Sequence, residues 1–290
     1  MTDSSGRMER LAFIGFGEAA MALASGWGDL RPARLRAFDI DDGPHMQARY
    51  AEHAVKGCAT PADALAGVEA AFSLVQADQA LSAATAAAGT LPAGAFWFDC
   101  NSCSPDTKRR AAEVIEAAGG RYVDVAVMAP VHPKRHHVPL LVSGPHAEAA
   151  VAVLQSLDMR PNTVGPEVGQ ASSIKMIRSV MVKGIEALSA ECFLAARRAG
   201  VEDSVIASLD ASDSTLDWRQ RGAYNLERMM VHGIRRAAEM REVALTIEEL
   251  GLGGAMSAAS AEWQERIGRL RAAPGPGDLV ARADALLDRL

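Results

Sequence analysis

Apolar and polar positions follow two different rhythms along the chain. Up to about residue 165, short apolar runs alternate with alanine-rich amphipathic stretches. Leu11–Ile14, Leu35–Phe38, Ala71–Val75, Ala95–Asp99, Tyr122–Val127 and Leu140–Ser143 read as strands. The stretches around 18–27, 43–53, 79–88, 106–118 and 146–157 read as helices. Strands alternating with helices predict a parallel sheet covered on both faces. After Gly165 the pattern becomes helical throughout. From Gly169 to Arg198 apolar residues recur at helical spacing with no proline, which predicts one helix of about 30 residues. Further helices follow near 202–209, 213–229, 231–251, 254–268 and 278–290, punctuated by Gly200, Gly251 and the Pro274–Gly277 run. Two domains are expected, 1–165 and 166–290. A long helix is hard to bury within so small a helical half, so a homodimer packed through that half is expected.

The first turn after the first strand carries the most chemistry. Gly15, Phe16, Gly17, Glu18, Ala19 and Ala20 follow the apolar run, and Asp39 stands 24 residues after Gly15 at the end of the second strand. Strand, glycine turn, helix, strand and acidic residue at this spacing form a dinucleotide-binding pattern. Gly15 permits the tight turn, and Gly17 lets backbone N–H groups approach a pyrophosphate. Ala20 lets the helix pack closely, and the helix N-terminus favours phosphate. Asp39 would accept hydrogen bonds from a ribose. This makes the first half an α/β Rossmann-like doubly wound parallel sheet, followed by an all-α domain with a long interdomain helix. Asp39, followed by Asp41 and Asp42 with no arginine beside it, would repel a 2′-phosphate. NAD is therefore expected over NADP.

Bulk properties narrow the class. The 290 residues are 49% hydrophobic and 23% charged, as in a globular protein. A net charge of −6 argues against nucleic-acid binding. No apolar stretch approaches the roughly 18–20 residues of a membrane span. The polar start MTDSSGRMER lacks the apolar core of a secretory signal, so a cytoplasmic protein is expected. Cys100 and Cys103 have C-x-x-C spacing, but no second pair completes a zinc site, and coincidence is the plainer reading.

Ligands of open α/β sheets bind beyond the carboxyl ends of the strands, where Gly15, Asp39, Gln76, Asn101 and the segment after Val127 fall. Asn101 and Ser102 offer amide and hydroxyl groups to substrate or nicotinamide; alternatively, residues 101–105 only cap the next helix. The loop Met128–His137 holds His132, Lys134, Arg135, His136 and His137. It attracts an anionic substrate, or it is a solvated loop without a role. A metal site is disfavoured because no carboxylate or cysteine accompanies the histidines. On the long helix Lys175, Arg178, Ser179 and Val182 share one face. Lysine is rarely buried without a task. Desolvation and Arg178 would lower its pKa, suiting proton exchange with a substrate hydroxyl or carbonyl. The alternative is a surface ion pair with a nearby carboxylate.

These segments together resemble the β-hydroxyacid dehydrogenase superfamily, which includes 3-hydroxyisobutyrate and 6-phosphogluconate dehydrogenases. GFGEAA is similar to its G-x-G-x-M-G, Asp99–Pro105 to its D-x-S-T-x-x-P, and Asp124–Pro130 to its D-A-P-V-S-G-G. Residues Gly165–Lys175 are similar to its approach to the catalytic lysine. The resemblance implies that Lys175 is a general acid/base acting on a small 3-hydroxy acid or related hydroxy compound. Three features depart from the family: Ser179 stands where the family has asparagine, Met128-Ala129-Pro130 replaces a serine-glycine-glycine loop, and the later lysine-aspartate pair is replaced around Ala238-Glu239. The chain thus resembles a divergent subgroup whose helical domain is uncharacterised. With the usual anion contacts altered, His132, Arg178, His232 or Arg235 would take the substrate's charge. An imine reductase of similar architecture and a non-catalytic dinucleotide-binding protein stand as alternatives.

Overall fold

The computed structural model describes residues 8–290; the polar stretch 1–7 lies outside the described residues. The described residues form two compact units, 8–176 and 177–290, which divide inside one long helix.

The first unit runs β1 (Arg10–Ile14), α1 (Glu18–Gly26), β2 (Arg34–Phe38), α2 (Pro44–Glu52), β3 (Lys56–Gly57), α3 (Pro61–Leu65), β4 (Ala70–Ser73), α4 (Ala80–Ala88), β5 (Phe96–Asp99), α5 (Pro105–Ala117), β6 (Arg121–Val127), β7 (Pro139–Ser143), α6 (Ala147–Ser156) and β8 (Arg160–Gly165). The strands form one sheet in the order β3-β2-β1-β4-β5-β6-β7-β8. The chain leaves β1 toward β2 on one side and returns to β4 on the other. The crevice at the carboxyl ends of β1 and β4 is therefore the topological switch point. Alternate residues feed two cores. Leu11, Phe13, Phe96, Phe98, Val123 and Val125 face one layer of helices, and Ala12, Ile14, Trp97 and Tyr122 the other. Burying each large apolar side chain contributes roughly 1.5–3 kcal/mol, so both layers are held firmly.

The sheet departs from the expected all-parallel pattern at one place. β7 runs antiparallel to β6, while every other pair is parallel. A parallel crossover needs a connection of a dozen or more residues, usually helical. The loop after β6 is too short and carries no α-helix, so the chain reverses. Two short or polar elements, β3 and β8, had no clear apolar signal.

The second unit is helical: the remainder of α7 (Gln170–Ala199), then α8 (Glu202–Ser212), α9 (Trp218–Glu249), α10 (Ala255–Arg269) and α11 (Leu279–Leu287). The expected pair of helices at 213–229 and 231–251 is instead the single helix α9. Gly233 sits in its middle because it is where α10 crosses. A Cβ on Gly233 would lie 2.4 Å from the Gln264 carbonyl oxygen and 2.8 Å from Gly268 Cα. This glycine is a contact point between backbones. Among the described residues no helix is long and apolar enough to cross a membrane.

Candidate functional site

The glycine turn is built as its sequence suggested. Gly15 has φ +87°, and a Cβ there would lie 2.5 Å from the Leu74 carbonyl oxygen of the turn after β4. Gly17 differs: a Cβ would meet nothing within 4 Å, so the space in front of α1 is open. Gly17 caps α1 without a side chain, Glu18 and Ala19 form its first turn, and Ala20 is fully buried against the sheet. An open approach to an uncapped helix N-terminus fits a pyrophosphate. Asp39, half-buried after β2, accepts the Phe16 N–H at 2.7 Å and the Asp41 N–H at 3.0 Å. It braces the turn from behind, while Ile40 next to it is 87% exposed. The Phe16 side chain is in the core against Tyr50 and Phe13, which leaves only its backbone at the turn. Gln76 is exposed just after β4. These residues fit a bound dinucleotide.

Beyond the end of β5, two strands along the sheet from β1, Lys175 and Ser102 meet. Lys175 Nζ donates to Ser102 Oγ at 2.6 Å across 73 residues of sequence. Asn101 is buried and engaged within the protein. Its amide donates to Asp99 Oδ1 (2.8 Å) and Ser73 Oγ (2.9 Å), and its oxygen accepts the Val75 N–H at 2.7 Å. It ties the ends of β4 and β5 together. The cap of α5 is Ser104, which accepts the Thr107 N–H, followed by Pro105 in the first turn.

Beneath Ser102 lies a polar network to which the sequence reading assigned no role. Lys108, on α5, is fully buried; its ammonium donates to Asp99 Oδ1 at 2.9 Å and to the Asp99 carbonyl at 2.6 Å, and lies 3.4 Å from Asp124 Oδ1. The Tyr122 hydroxyl donates to Asp99 Oδ2 at 2.7 Å. Asp124 Oδ2 accepts the N–H groups of Gly169 and Ser172 and the hydroxyls of Ser172 and Ser143. A carboxylate on β6 thus caps the N-terminus of α7, the helix that carries Lys175, where the helix dipole favours a negative charge. Burial acts to lower the pKa of Lys108, but Asp99 and Asp124 outweigh it and the net shift is upward, so the ammonium stays charged. Burial and Asp99 push the Tyr122 hydroxyl well above its usual range. Burial pushes the Cys100 thiol up to about 12, so the C-x-x-C pair offers little thiolate there. One signal was available: Asp99 and Asp124 are acidic residues in otherwise apolar strands.

The remaining candidates are dispersed. His132 is exposed in the loop after β6. In the second unit Arg178 is exposed and Ser179 buried on α7, while His232 is half-buried on α9. Arg235 binds Glu239 at 2.5 Å, so this cation is already engaged with a carboxylate, which also meets Lys183 at 2.6 Å. The expectation that no carboxylate accompanies the histidine loop is overturned. Asp158, brought in from the end of α6, lies 2.7 Å from His137 Nε2.

Comparisons with known proteins bear on the family and the fold. Residues 10–158 match the NAD binding domain of 6-phosphogluconate dehydrogenase, and 196–267 a domain of unknown function (DUF1932). A conserved hypothetical protein from Sinorhizobium meliloti 1021 is 38% identical over 100% of both chains, with a TM-score of 0.74. The conserved protein MTH1747, of unknown function and structurally similar to 3-hydroxyacid dehydrogenases, is 30% identical over 90% of this chain and 98% of its own, with a TM-score of 0.66. The 3-hydroxyisobutyrate dehydrogenase of Mycobacterium tuberculosis, solved with L-serine, shares the fold at 14% identity, covering 97% and 99% of the two chains with a TM-score of 0.70. An uncharacterized 28.5 kDa protein of Methanothermus fervidus is 27% identical over 118 residues, so the chain spans about half (45%) of that curated relative's length. The chain belongs to the family of the 6-phosphogluconate dehydrogenase NAD-binding domain, within the β-hydroxyacid dehydrogenase superfamily.

Proposed function

We propose that the protein is an NAD-dependent oxidoreductase acting on a small, anionic 3-hydroxy acid or related hydroxy compound, with Lys175 as general acid/base. The hydrogen bond from Lys175 Nζ to Ser102 Oγ, at 2.6 Å, carries this reading. It holds an amine beside a hydroxyl at the ligand edge of an NAD-binding sheet, within the distance proton transfer requires. A bound nicotinamide supplies or accepts the hydride. Lys175 gives a proton to the substrate oxygen in reduction and takes it in oxidation. Ser102 orients the amine and offers the substrate oxygen a second hydrogen bond. Gly15, Phe16, Gly17, Glu18 and Ala19 receive the pyrophosphate through backbone groups, and Gln76 lines the path toward the nicotinamide, with Asn101 holding the ends of β4 and β5 behind it.

Asp39, Asp41 and Asp42 disfavour a 2′-phosphate, and exposed Ile40 offers an apolar face to an adenine, which supports NAD over NADP. For the substrate's charge we favour Arg178, one turn after Lys175, over Arg235, which Glu239 occupies; His132 and His232 are the further candidates, with Ser179 near the Lys175 turn. Ile177, Met181 and Leu188 on α7 and Val231, Ile234 and Leu245 on α9 are exposed. Such apolar faces support a homodimer through the helical unit. Light scattering giving a monomer at micromolar concentration would exclude it.

The test uses a panel of hydroxy acids with NAD, and NADH fluorescence for binding. Lys175→Ala is expected to lower turnover about 10²–10⁴-fold while NADH binding persists. Unchanged turnover at saturating substrate removes Lys175 from the mechanism. Binding without turnover across the panel identifies a dinucleotide sensor instead.

A further inference from the structure

His136 is buried, yet neither of its ring nitrogens has a hydrogen-bond partner. Nδ1 is packed inside the protein without one, and Nε2 stops 3.7 Å from Asp158 Oδ2. The same carboxylate oxygen takes His137 Nε2 at 2.7 Å. Nδ1 faces Gly26, so the nitrogen that looks toward the carboxylate is Nε2, and its approach is long for a buried polar group, which is nearly always satisfied. A proton on Nε2 of both rings cannot serve one oxygen well; a cation between all three can.

We infer that His136, His137 and Asp158 form a binding site for a divalent transition-metal ion such as zinc. One ligand atom from each lies within 4.8 Å of the other two. In tetrahedral zinc with bonds of about 2.0–2.1 Å, ligand atoms stand about 3.3 Å apart. The separations of 2.7 and 3.7 Å from the carboxylate to the two rings straddle that value, and the rings' own ligand atoms lie within 4.8 Å of each other, so an ion would draw the three together. Two imidazoles and one carboxylate select zinc, cobalt, nickel or copper over magnesium and calcium, which prefer all-oxygen sites. Water would fill the fourth position.

The backbone is bent to make this cluster. Arg135 (φ +53°) and Asp158 (φ +54°) both hold the left-handed conformation without being glycine. That strain is modest for aspartate, which visits this region readily, and larger for arginine. The turn through Arg135–His137 sets the two rings side by side, 3.9 Å between centroids. Gly26, the last residue of α1, makes room for His136: a Cβ there would lie 2.1 Å from its Nδ1. Arg160 Nη1 binds the other carboxylate oxygen at 2.7 Å, which fixes Asp158 with Oδ2 toward the histidines. Its positive charge weakens the attraction for a dication, so a site of moderate affinity is expected. The ion would join the loop after β6 to the turn between α6 and β8, against the end of α1.

The experiment uses the full chain without a histidine tag, stripped with a chelator and titrated with zinc by calorimetry. One ion per chain is expected. His137→Ala and Asp158→Asn, both at exposed side chains, should each lower affinity by about tenfold or more, while NADH binding is unchanged. Cobalt(II) in place of zinc should give a spectrum without thiolate charge-transfer absorption. Absence of binding overturns the inference and leaves a histidine–aspartate ion pair only. Binding that survives the His137→Ala/Asp158→Asn double variant, or that shows thiolate absorption, also overturns it, by locating the ion elsewhere.

Discussion

Both units bury charged side chains, and the charges meet differently. In the first, Lys108, Asp99 and Asp124 converge on the ends of elements: the end of β5 and the N-terminus of α7. In the second, Glu186, Arg236 and Gln264 meet along the sides of α7, α9 and α10. The titration shifts run in opposite directions. For Lys108 the acidic partners outweigh burial and the shift is upward. For Arg236 burial outweighs the pull of Glu186 and the shift is downward. The first network fulfils backbone N–H and C=O groups that no water reaches, so it is structurally required. The second competes with apolar packing that could replace it; Arg236 Nε and Gln264 Oε1 are buried there without hydrogen bonds, as is Asp124 Oδ1 in the first, which has only the Lys108 ammonium at 3.4 Å. Charge at an element's end completes the backbone; charge on a helix side at most fixes which faces meet.

Removing Lys108 should have the largest effect. Lys108→Met leaves Asp99 and Asp124 buried without their cation and should cost about 3–5 kcal/mol in urea denaturation of the first unit. A loss under about 1 kcal/mol would erase the contrast. In the helical unit Arg236→Met alone should cost about 3 kcal/mol, because Glu186 is stranded. Replacing Glu186, Arg236 and Gln264 together by Leu, Met and Leu should return within about 1 kcal/mol of the parent, as buried pairs replaced by apolar residues often do. If the triple variant is as unstable as the single one, the second network is as necessary as the first. Gly233→Ala is a smaller perturbation. Its Cβ meets backbone of α10 and should force a shift costing about 1–3 kcal/mol, read by thermal unfolding.

The smallest effect is chemical and compares one cysteine from each unit. With its pKa near 12, Cys100 is almost wholly protonated at pH 8. Deprotonation activates a thiol, so its alkylation should rise about tenfold per pH unit and stay far slower than that of exposed Cys192. Mass spectrometry of iodoacetamide-treated native protein reads both. Faster labelling at Cys100 would mean that the first unit's interior opens readily.

Much of this was legible in residue order. The apolar runs located β1, β2, β4, β5, β6 and β7 within a residue or two, because a buried parallel strand needs an apolar run whatever surrounds it. The glycine turn and Asp39 were readable because their roles depend on neighbours close along the chain. The helix over 170–199 followed from an unbroken period. Other features were out of reach for a definite reason. Gly233 carries one local meaning, a weak point in a helix, and only the presence of α10 converts it into a crossing. Lys108 sits in the first turns of α5 as any surface lysine might.

The sequence by itself determined the alternating α/β half, the dinucleotide turn and the long helix, since each rests on local periodicity and on residues whose backbone freedom is intrinsic. Only the tertiary structure decided that β7 reverses, that Lys175 reaches Ser102, that Asp124 caps the helix bearing Lys175, and that Asp158 stands between two histidines. Those contacts join residues between 13 and 73 positions apart. Side-chain chemistry sets which pairs can attract; the path of the chain through the sheet sets which ones meet.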